Sequence, residues 1–209
     1  DNNFYPLIEF LAQTGKPLIM STGLADINQI LKSKDLIFKH WDGQKRVDNL
    51  SLLHCVSNYP VKPQHANLRA INDIKQKCKC TVGYSDHTKG IEASLAAAAL
   101  GACIIEKHIT LNKNFPGPDH KASIVEKELK QIKPKILAGN RRYYDNSSIE
   151  ILKKIKYNII ENETNLEKND TLIIIDSSVE KKIELYSRLK LICSKIFLFH
   201  LVDEFGLQN

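Results

Sequence analysis

Short, almost wholly apolar runs alternate with longer polar–apolar stretches along this chain, and the alternation recurs between residues 16 and 138. Four strands are indicated, over Lys16–Met20, Leu50–Val56, Thr81–Tyr84 and Cys103–Ile109. Each is followed by a stretch long enough for a helix. Strands joined in this way run parallel with right-handed crossovers, and apolar strands are covered on both faces. The pattern predicts an α/β fold with outer helices and a parallel sheet, either open or closed into a barrel.

Local signals place the helices between these strands. Asp26-x-x-Gln29 has the form of a capping box and predicts that a helix begins there. Further helices are expected over about Ala66–Lys77 and Gly90–Leu100. A second capping box, Ser123-x-x-Glu126, predicts a helix that continues to about Leu137.

The composition changes beyond residue 140, where Asn, Lys and Ile dominate. This region contains one more βαβ-like piece, with strands over Thr171–Asp176 and Lys195–His200. We therefore expect two units, one over residues 1–140 and an appended small α/β segment over residues 141–209.

The formal charge of +6 raises the question of a polyanionic partner. The basic residues are mostly lysines spread along helical stretches such as Lys127–Lys135, which is typical of a solvated surface. The sequence has neither an RNA-recognition aromatic motif nor a zinc-finger spacing. We expect no nucleic-acid partner.

The chain has five cysteines, an odd number that fits no disulfide framework and indicates a reducing compartment. Cys78 and Cys80 form a C-x-C that lacks the second pair of a structural zinc site. The longest apolar run, around Leu95–Leu100, is too short to cross a bilayer, and no leader pattern is present. We expect a cytoplasmic protein without a membrane partner.

Two histidines stand at the ends of neighbouring predicted strands. His87 lies in Tyr84-Ser85-Asp86-His87-Thr88, and His108 closes Glu106-Lys107-His108. One small-residue helix separates the two runs, so both side chains should emerge side by side at one edge of a parallel sheet. That edge is where such sheets carry their chemistry.

Four segments together resemble the sialic acid synthase family, which comprises the N-acetylneuraminate synthases and their legionaminate and pseudaminate relatives. They are Leu52–Pro60, Gly83–Thr88, Ile105–His108 and Pro116–Ser123, in the order and spacing of the family. The resemblance covers about residues 1–140. It implies a (β/α)8 TIM barrel, of which this chain would hold the last four βα units. The family's antifreeze-like C-terminal domain is not recognisable in residues 141–209.

The resemblance also implies a reaction. Family members condense phosphoenolpyruvate with an N-acetylated amino sugar, such as N-acetylmannosamine, to give a nonulosonic acid and phosphate. They use a divalent metal, Mn²⁺ or Mg²⁺, and His87 and His108 match its ligands. Two neutral imidazoles with open positions suit a cation that makes an aldehyde electron-poor. The alternative is a pair of ordinary, partly buried histidines bonded to the backbone.

The other matching positions receive roles by resemblance only. Asp119 and Glu106 are expected to be catalytic, assisting proton transfer or orienting a ligand. Ser21 and Ser85 are expected to bind the phosphate of phosphoenolpyruvate, and Ser57 and Tyr59 the amino sugar. Lys107 and Lys121 would add positive charge near an anionic substrate, which is a weaker suggestion for both. Asparagine is common in the family where Ser57 stands, which leaves the identity of the sugar open.

Two alternatives to the synthase hypothesis remain. The chain could be a truncated, non-catalytic remnant or binding module that retains part of the metal site. It could instead resemble another phosphoenolpyruvate-condensing barrel, such as the deoxy-octulosonate or deoxy-heptulosonate phosphate synthases, although no second anion site for a phosphorylated acceptor is visible. Half a barrel leaves strand edges and apolar surface uncovered, so we also expect homo-oligomers.

Overall fold

The computed structural model describes residues 1–41 and 49–131 in full and, beyond them, the backbone of residues 135–138, 159–160, 171–175 and 195–201. The elements in chain order are α1 (Tyr5–Gln13), β1 (Leu18–Ser21), α2 (Ile27–His40), β2 (Leu50–Cys55), a 3₁₀ turn (Pro63–His65), α3 (Ala70–Cys78), β3 (Thr81–Asp86), α4 (Glu92–Ala99), β4 (Ile104–Ile109), α5 (Pro118–Ala122), α6 (Glu126–Gln131), β5 (Lys135–Ala138), β6 (Ile159–Ile160), β7 (Thr171–Ile175) and β8 (Lys195–Leu201).

The first four strands pair with their sequence neighbours, and all of these pairs are parallel. The sheet continues beyond β4, in the order β1-β2-β3-β4-β8-β7-β5-β6. β8 lies parallel to β4, with His108 in register with His200. The strands of the C-terminal region therefore extend the same sheet at the β4 side.

The strands form where the sequence predicts continuous apolar runs, because both of their faces are covered. In β2, Leu50, Leu52 and Leu53 are fully buried. The capping box of α2 is present as predicted: the Asp26 carboxylate accepts from the amide of Gln29, whose side chain accepts from the amide of Asp26. Local and tertiary preferences therefore agree in this part of the chain.

β3 and β4 approach each other closely at Gly83. A Cβ atom at this position would lie 2.6 Å from the backbone oxygen of Ile104 and 2.6 Å from Cδ2 of Leu53. Such distances are well inside van der Waals contact, so only glycine fits here.

The predicted helix from Ser123 to about Leu137 is wrong in two respects. The Ser123 hydroxyl donates to the Asp119 carbonyl and closes α5, while the next helix is capped by Glu128, whose carboxylate accepts from the amide of Val125. α6 ends at Gln131, and Lys135–Ala138 is the strand β5. Proline at position 134 is unfavourable inside a helix, which agrees with the strand β5 directly after it.

Two other boundaries differ from the predictions. α3 begins at Ala70 rather than near Ala66, because Asn67 has a left-handed backbone with φ 47° that no helix interior tolerates. α1 was not predicted, although Pro6 in its first turn and the spacing of its buried residues Ile8 and Ala12 fit a helix.

The helical part of the βαβ-like piece predicted beyond residue 140, and Cys193, lie outside the described residues. Within the described part of the chain, no helix has the length and apolar character needed to cross a membrane.

Candidate active site at the sheet rim

The carboxyl ends of β1 to β4 meet at one rim, as parallel pairing requires. A pocket of about 260 Å³ opens there. It is lined by Asp1, Asn2, Ser21, Gly23, Cys55, Ser57, Tyr59, Ser85, His87, Glu106 and His108. Seven of the nine site residues predicted from the sequence are therefore together in one cavity, and Asp119 and Lys121 are not among its lining residues.

The two histidines lie side by side in this pocket. His87 directly follows β3, and His108 is the penultimate residue of β4. Their ring centroids are 5.6 Å apart with an interplanar angle of 38°, and both residues are buried. The Tyr59 ring covers the pair, with its centroid 4.1 Å from that of His87 and 6.1 Å from that of His108.

The hydrogen bonds around His87 assign its tautomer. Nδ1 lies 3.1 Å from the carbonyl oxygen of Val56, which can only accept, so Nδ1 carries the proton and Nε2 the lone pair. Burial lowers the pKa of His87, which favours the neutral ring. A backbone carbonyl that accepts from the far nitrogen is the usual support of a metal-ligating imidazole. The ring therefore suits a divalent cation in both protonation and orientation.

Ser85 joins β3 to β4 inside the pocket. Its hydroxyl donates to Oε1 of Glu106 at 2.6 Å, and the two residues are register partners. Ser85 Oγ also lies 3.4 Å from Nε2 of His87. Because the hydroxyl proton points to the carboxylate, it does not occupy the lone pair of that nitrogen. Ser85 lies within β3. The predicted strand ended one residue earlier, at Tyr84, and left Ser85 outside it.

The other pocket side is built from β1 and the segment after β2. Ser21 is the last residue of β1, and Ser57 and Tyr59 are exposed beyond β2. A Cβ atom at Gly23 would lie 2.5 Å from the Ser57 hydroxyl oxygen, so this glycine makes room for the serine. Burial, followed by the nearby Cys55, Asp119 and Glu106, raises the pKa of Tyr59 to about 12, so its hydroxyl stays protonated.

Asp119 and Lys121 lie on the short helix α5. Asp119 is buried, and its negative charge is one of the causes that raise the pKa of Tyr59. Lys121 is exposed. Pro118 at the start of the helix, after Gly117 with φ 120°, explains why a Pro-Gly-Pro sequence continues as helix here.

The weaker suggestion for Lys107 is wrong. Its side chain is buried and forms an ion pair with Asp86, at 3.1 Å between Nζ and Oδ2. Residues alternate between the two faces of a strand, and Glu106 and His108 face the pocket. Lys107 therefore lies on the opposite face of the sheet, where it cannot attract a substrate in the pocket.

Four lining residues, Asp1, Asn2, Gly23 and Cys55, were not among the predicted site residues. Asn2 donates from its side-chain amide to the carbonyls of Ser21 and Gly23, at 3.2 Å and 2.8 Å, and so joins the N-terminal segment to the rim. Cys55 places its thiol 3.9 Å from Nδ1 of His87. Cys55 could have been found from its position at the end of β2, whereas Asn2 carries no local signal.

Among residues 1–41 and 49–131, no group of three or more histidine, cysteine or acidic side chains has the arrangement of a metal-binding cluster. The two histidines offer two neighbouring ring nitrogens, and a cation held by them would have further positions open to other groups.

Comparison with known proteins gives a consistent result. The NeuB family model matches residues 1–148. The chain is 48% identical over 127 residues to an N,N'-diacetyllegionaminic acid synthase of Campylobacter jejuni, covering 61% of this chain and 37% of that protein. It is 35% identical over 133 residues to the human N-acetylneuraminate-9-phosphate synthase, covering 63% of this chain and 35% of that protein.

Two solved structures resemble the fold. The spore coat polysaccharide biosynthesis protein SpsE of Bacillus subtilis has a TM-score of 0.57 and 30% identity, covering 77% of this chain and 42% of that one. The N-acetylneuraminic acid synthetase of Leptospira borgpetersenii has a TM-score of 0.55 and 32% identity, covering 88% and 54%. These likenesses confirm the predicted fold class, a partial (β/α)8 barrel with four parallel strands in a half-barrel.

The chain spans little more than a third of the length of the curated relatives named here. The match to the family model nevertheless includes all four βα units and every residue that lines the pocket. The chain belongs to the NeuB family.

Proposed function

We propose that the rim pocket is the metal-binding and substrate-binding part of a synthase that joins phosphoenolpyruvate to an N-acetylated amino sugar. The observation that carries the proposal is the pair His87 and His108, with ring centroids 5.6 Å apart in one pocket with a carboxylate and several hydroxyls. Membership of the NeuB family, with relatives that include a legionaminic acid synthase, supports the same reaction class.

His87 and His108 would hold a divalent cation, Mn²⁺ or Mg²⁺. The cation would supply Lewis acidity toward the aldehyde oxygen of the open-chain sugar. His87 contributes by its orientation, since the Val56 carbonyl holds the ring with Nε2 unprotonated. The Tyr59 ring covers both imidazoles and limits the access of water to them.

The proposed reaction uses the pocket as follows. The methylene carbon of phosphoenolpyruvate forms a bond to the aldehyde carbon of the sugar. Water then adds to the carbon that bears the phosphate, and the bond between this carbon and the phosphate oxygen breaks to release phosphate. Glu106, oriented by Ser85, and the buried Asp119 would accept and return protons in these steps. Orientation matters because proton transfer needs hydrogen-bond distance.

The remaining lining residues would bind the substrates. Ser21 and Ser85 offer hydroxyls to the phosphate, and Ser57 and Tyr59 lie on the side where an amino sugar would enter. Lys121, exposed on α5, would contribute only as a charge at the entrance. The Tyr59 hydroxyl, kept protonated by its raised pKa, would act as a hydrogen-bond donor to the sugar.

Turnover by the 209-residue chain tests this proposal. The chain is incubated with phosphoenolpyruvate, N-acetylmannosamine and Mn²⁺, and phosphate release and the nonulosonic acid are measured. We expect product that disappears with a chelator and falls about a hundredfold or more in His87→Ala and His108→Ala. His65→Ala removes an exposed histidine outside the pocket and should stay close to the unchanged chain. Product formation that is unaffected by His87→Ala and His108→Ala would contradict the proposed roles.

A second candidate is a binding module that holds the cation without turnover. It is favoured by the share of the relatives that the chain spans, 37% for the legionaminic acid synthase. Folded chain that binds Mn²⁺ through His87 and His108 but forms no product would support this candidate. If the folded chain does not bind Mn²⁺, both the synthase and the binding-module candidates are overturned.

The division at residue 140, the homo-oligomer and the cytoplasmic setting stay proposals alongside this function. The four described cysteines are free thiols, which is compatible with a reducing compartment. Sedimentation of the full chain would determine the oligomeric state.

A further inference from the structure

A charged residue directly precedes each histidine of the pair. Asp86 comes before His87, and Lys107 comes before His108. The two charged residues are register partners on β3 and β4, with Lys107 Nζ 3.1 Å from Asp86 Oδ2. Both are buried, with side-chain exposures of 1% for Lys107 and 0% for Asp86. A buried ion pair thus lies on one face of the sheet, directly behind the two imidazoles on the other.

Further hydrogen bonds connect this pair to the backbone on both sides of His87. Lys107 Nζ donates to the carbonyl of Thr88 at 2.7 Å and to that of Asp86 at 3.4 Å. Asp86 Oδ1 accepts from the amide of Thr88 at 2.8 Å. The residues before and after His87 are therefore both held by the pair, and its backbone has little freedom.

The second oxygen of the carboxylate is also occupied. Asp86 Oδ2 accepts from the Ser94 hydroxyl of α4, in addition to its contact with Lys107. The pair thus links β3, β4 and α4. Stability alone is a weak reason to keep such an arrangement, because burying two charges costs about as much as their attraction returns and apolar residues often serve equally well.

We propose that Asp86 and Lys107 are positioning residues, whose buried ion pair sets the separation and orientation of the His87 and His108 rings. The inference rests on the proposed function for the role of the histidines as cation ligands. It adds that this role depends on two residues that touch neither substrate nor cation. Outer groups that orient a ligating histidine commonly contribute 10- to 100-fold to metal affinity.

The geometry explains how the effect would be transmitted. His87 is held at its ring by the Val56 carbonyl and at its own carbonyl by the Val61 amide, while Lys107 and Asp86 hold the backbone of the next residue, Thr88. Without the pair, the contacts of His87 with Val56 and Val61 would remain, but Thr88 would lose the partners of its amide and its carbonyl. We therefore expect the ring to lose its single orientation.

The test compares Lys107→Met with the unchanged chain and with Ile71→Ala, a substitution at a fully buried residue of α3 that serves as a stability-matched control. Titration with Mn²⁺, followed by its electron paramagnetic resonance signal, gives the dissociation constant. We expect this constant to rise about tenfold or more in Lys107→Met and to change less than twofold in Ile71→Ala. An unchanged constant in folded Lys107→Met would overturn the proposal.

The double variant Asp86→Leu, Lys107→Met guards against misfolding, because it removes both buried charges together and leaves neither uncompensated. It should fold and still bind Mn²⁺ weakly. Wild-type affinity in this variant would overturn the proposal even if Lys107→Met failed to fold.

A readout without metal separates the inference from the proposed function. Nitrogen chemical shifts of the histidine rings report the tautomer of His87, which the structure assigns as protonated at Nδ1. We expect that single tautomer in the unchanged chain and a mixture in Lys107→Met and in the double variant. If the unchanged chain binds no Mn²⁺, the proposed function fails, and the tautomer still decides the positioning role: an unaltered tautomer in both variants overturns it.

Discussion

Ser85 and Glu106 face each other on neighbouring parallel strands, and the serine hydroxyl donates to the carboxylate at 2.6 Å. The bond connects β3 to β4 on the pocket face, whereas the ion pair between Asp86 and Lys107 connects them on the opposite face. The two strands that carry the histidines are thus joined by side chains on both faces.

The bond between Ser85 and Glu106 should be measurable as a coupling energy. Because a hydrogen bond to a carboxylate contributes about 1.5 to 3 kcal/mol, we expect a double-mutant cycle of Ser85→Ala and Glu106→Ala to give about 1.5 kcal/mol of coupling. Urea unfolding of the four proteins provides the free energies. Ser57→Ala combined with Glu106→Ala is the control and should be additive within about 0.5 kcal/mol. Additivity in the first cycle would show that the bond contributes nothing.

Gly83→Ala should destabilise the fold through a contact that cannot relax. The new methyl group would meet the backbone oxygen of Ile104 at 2.6 Å, and strand backbone cannot move aside as a flexible side chain can. Overpacking of this kind costs about 1 to 3 kcal/mol, and we expect the upper end of that range. The urea midpoint measures the effect, and a midpoint equal to that of the unchanged chain would contradict the close approach of β3 and β4.

Acid should destabilise the protein through buried neutral histidines. Burial lowers the pKa of His54 and of His87 below the ordinary value of 6.5. Below pH 6.5 the unfolded chain therefore binds protons at these histidines that the folded chain does not bind. Stability is full above pH 6.5 and is lost as the pH falls from 6.5 through the lowered pKa values of the folded chain. The limiting slope is about 1.4 kcal/mol per pH unit for each histidine.

Urea unfolding between pH 5.5 and pH 7.5 would measure this slope. In His54→Gln the ring is absent, while the side-chain amide can still donate to the Ala66 carbonyl that Nε2 of His54 contacts at 2.8 Å. We expect a shallower slope in this variant. An identical slope in both proteins would rule out His54 as one of the responsible groups.

The single tryptophan, Trp41, should hold α1 against α2. It is buried, and its indole nitrogen donates to the Ala12 carbonyl at 3.0 Å. Trp41→Phe removes this bond and leaves a small cavity, so we expect a loss of about 1 to 3 kcal/mol in a urea titration followed by circular dichroism. Phe10→Leu, at an exposed position of α1, should change stability by less than about 0.5 kcal/mol. Equal losses in both variants would contradict this role of Trp41.

The strands and the rim could be predicted because they depend on short-range patterns. Continuous apolar runs indicate strands buried on both faces, and polar residues at their carboxyl ends must share one rim once the strands are parallel. This logic predicts that His87 and His108 lie side by side, and the 5.6 Å between their ring centroids agrees with it. Their role as cation ligands remains a proposal.

The misplaced features depend on choices that a local pattern leaves open. Ser123 fits the first position of a capping box, yet its hydroxyl bonds back to the carbonyl of Asp119, four residues earlier, because α5 ends there. Lys107 resembled a substrate-binding charge, and only its buried partner Asp86 shows otherwise. Asn2 reaches the rim through contacts with residues 19 and 21 positions away, which no periodicity reveals.

The alternation along β3 and β4 has an evolutionary consequence. Ser85 and His87 belong to the pocket and Asp86 lies between them, just as Glu106 and His108 enclose Lys107. Inserting or deleting one residue within either strand would exchange the two faces. The imidazoles would move to the face opposite the pocket, and the charged side chains would move to the pocket face. Descendants of this gene are therefore expected to accept length changes in the connections around these strands, while frame-preserving indels inside residues 83–87 and 104–108 are eliminated.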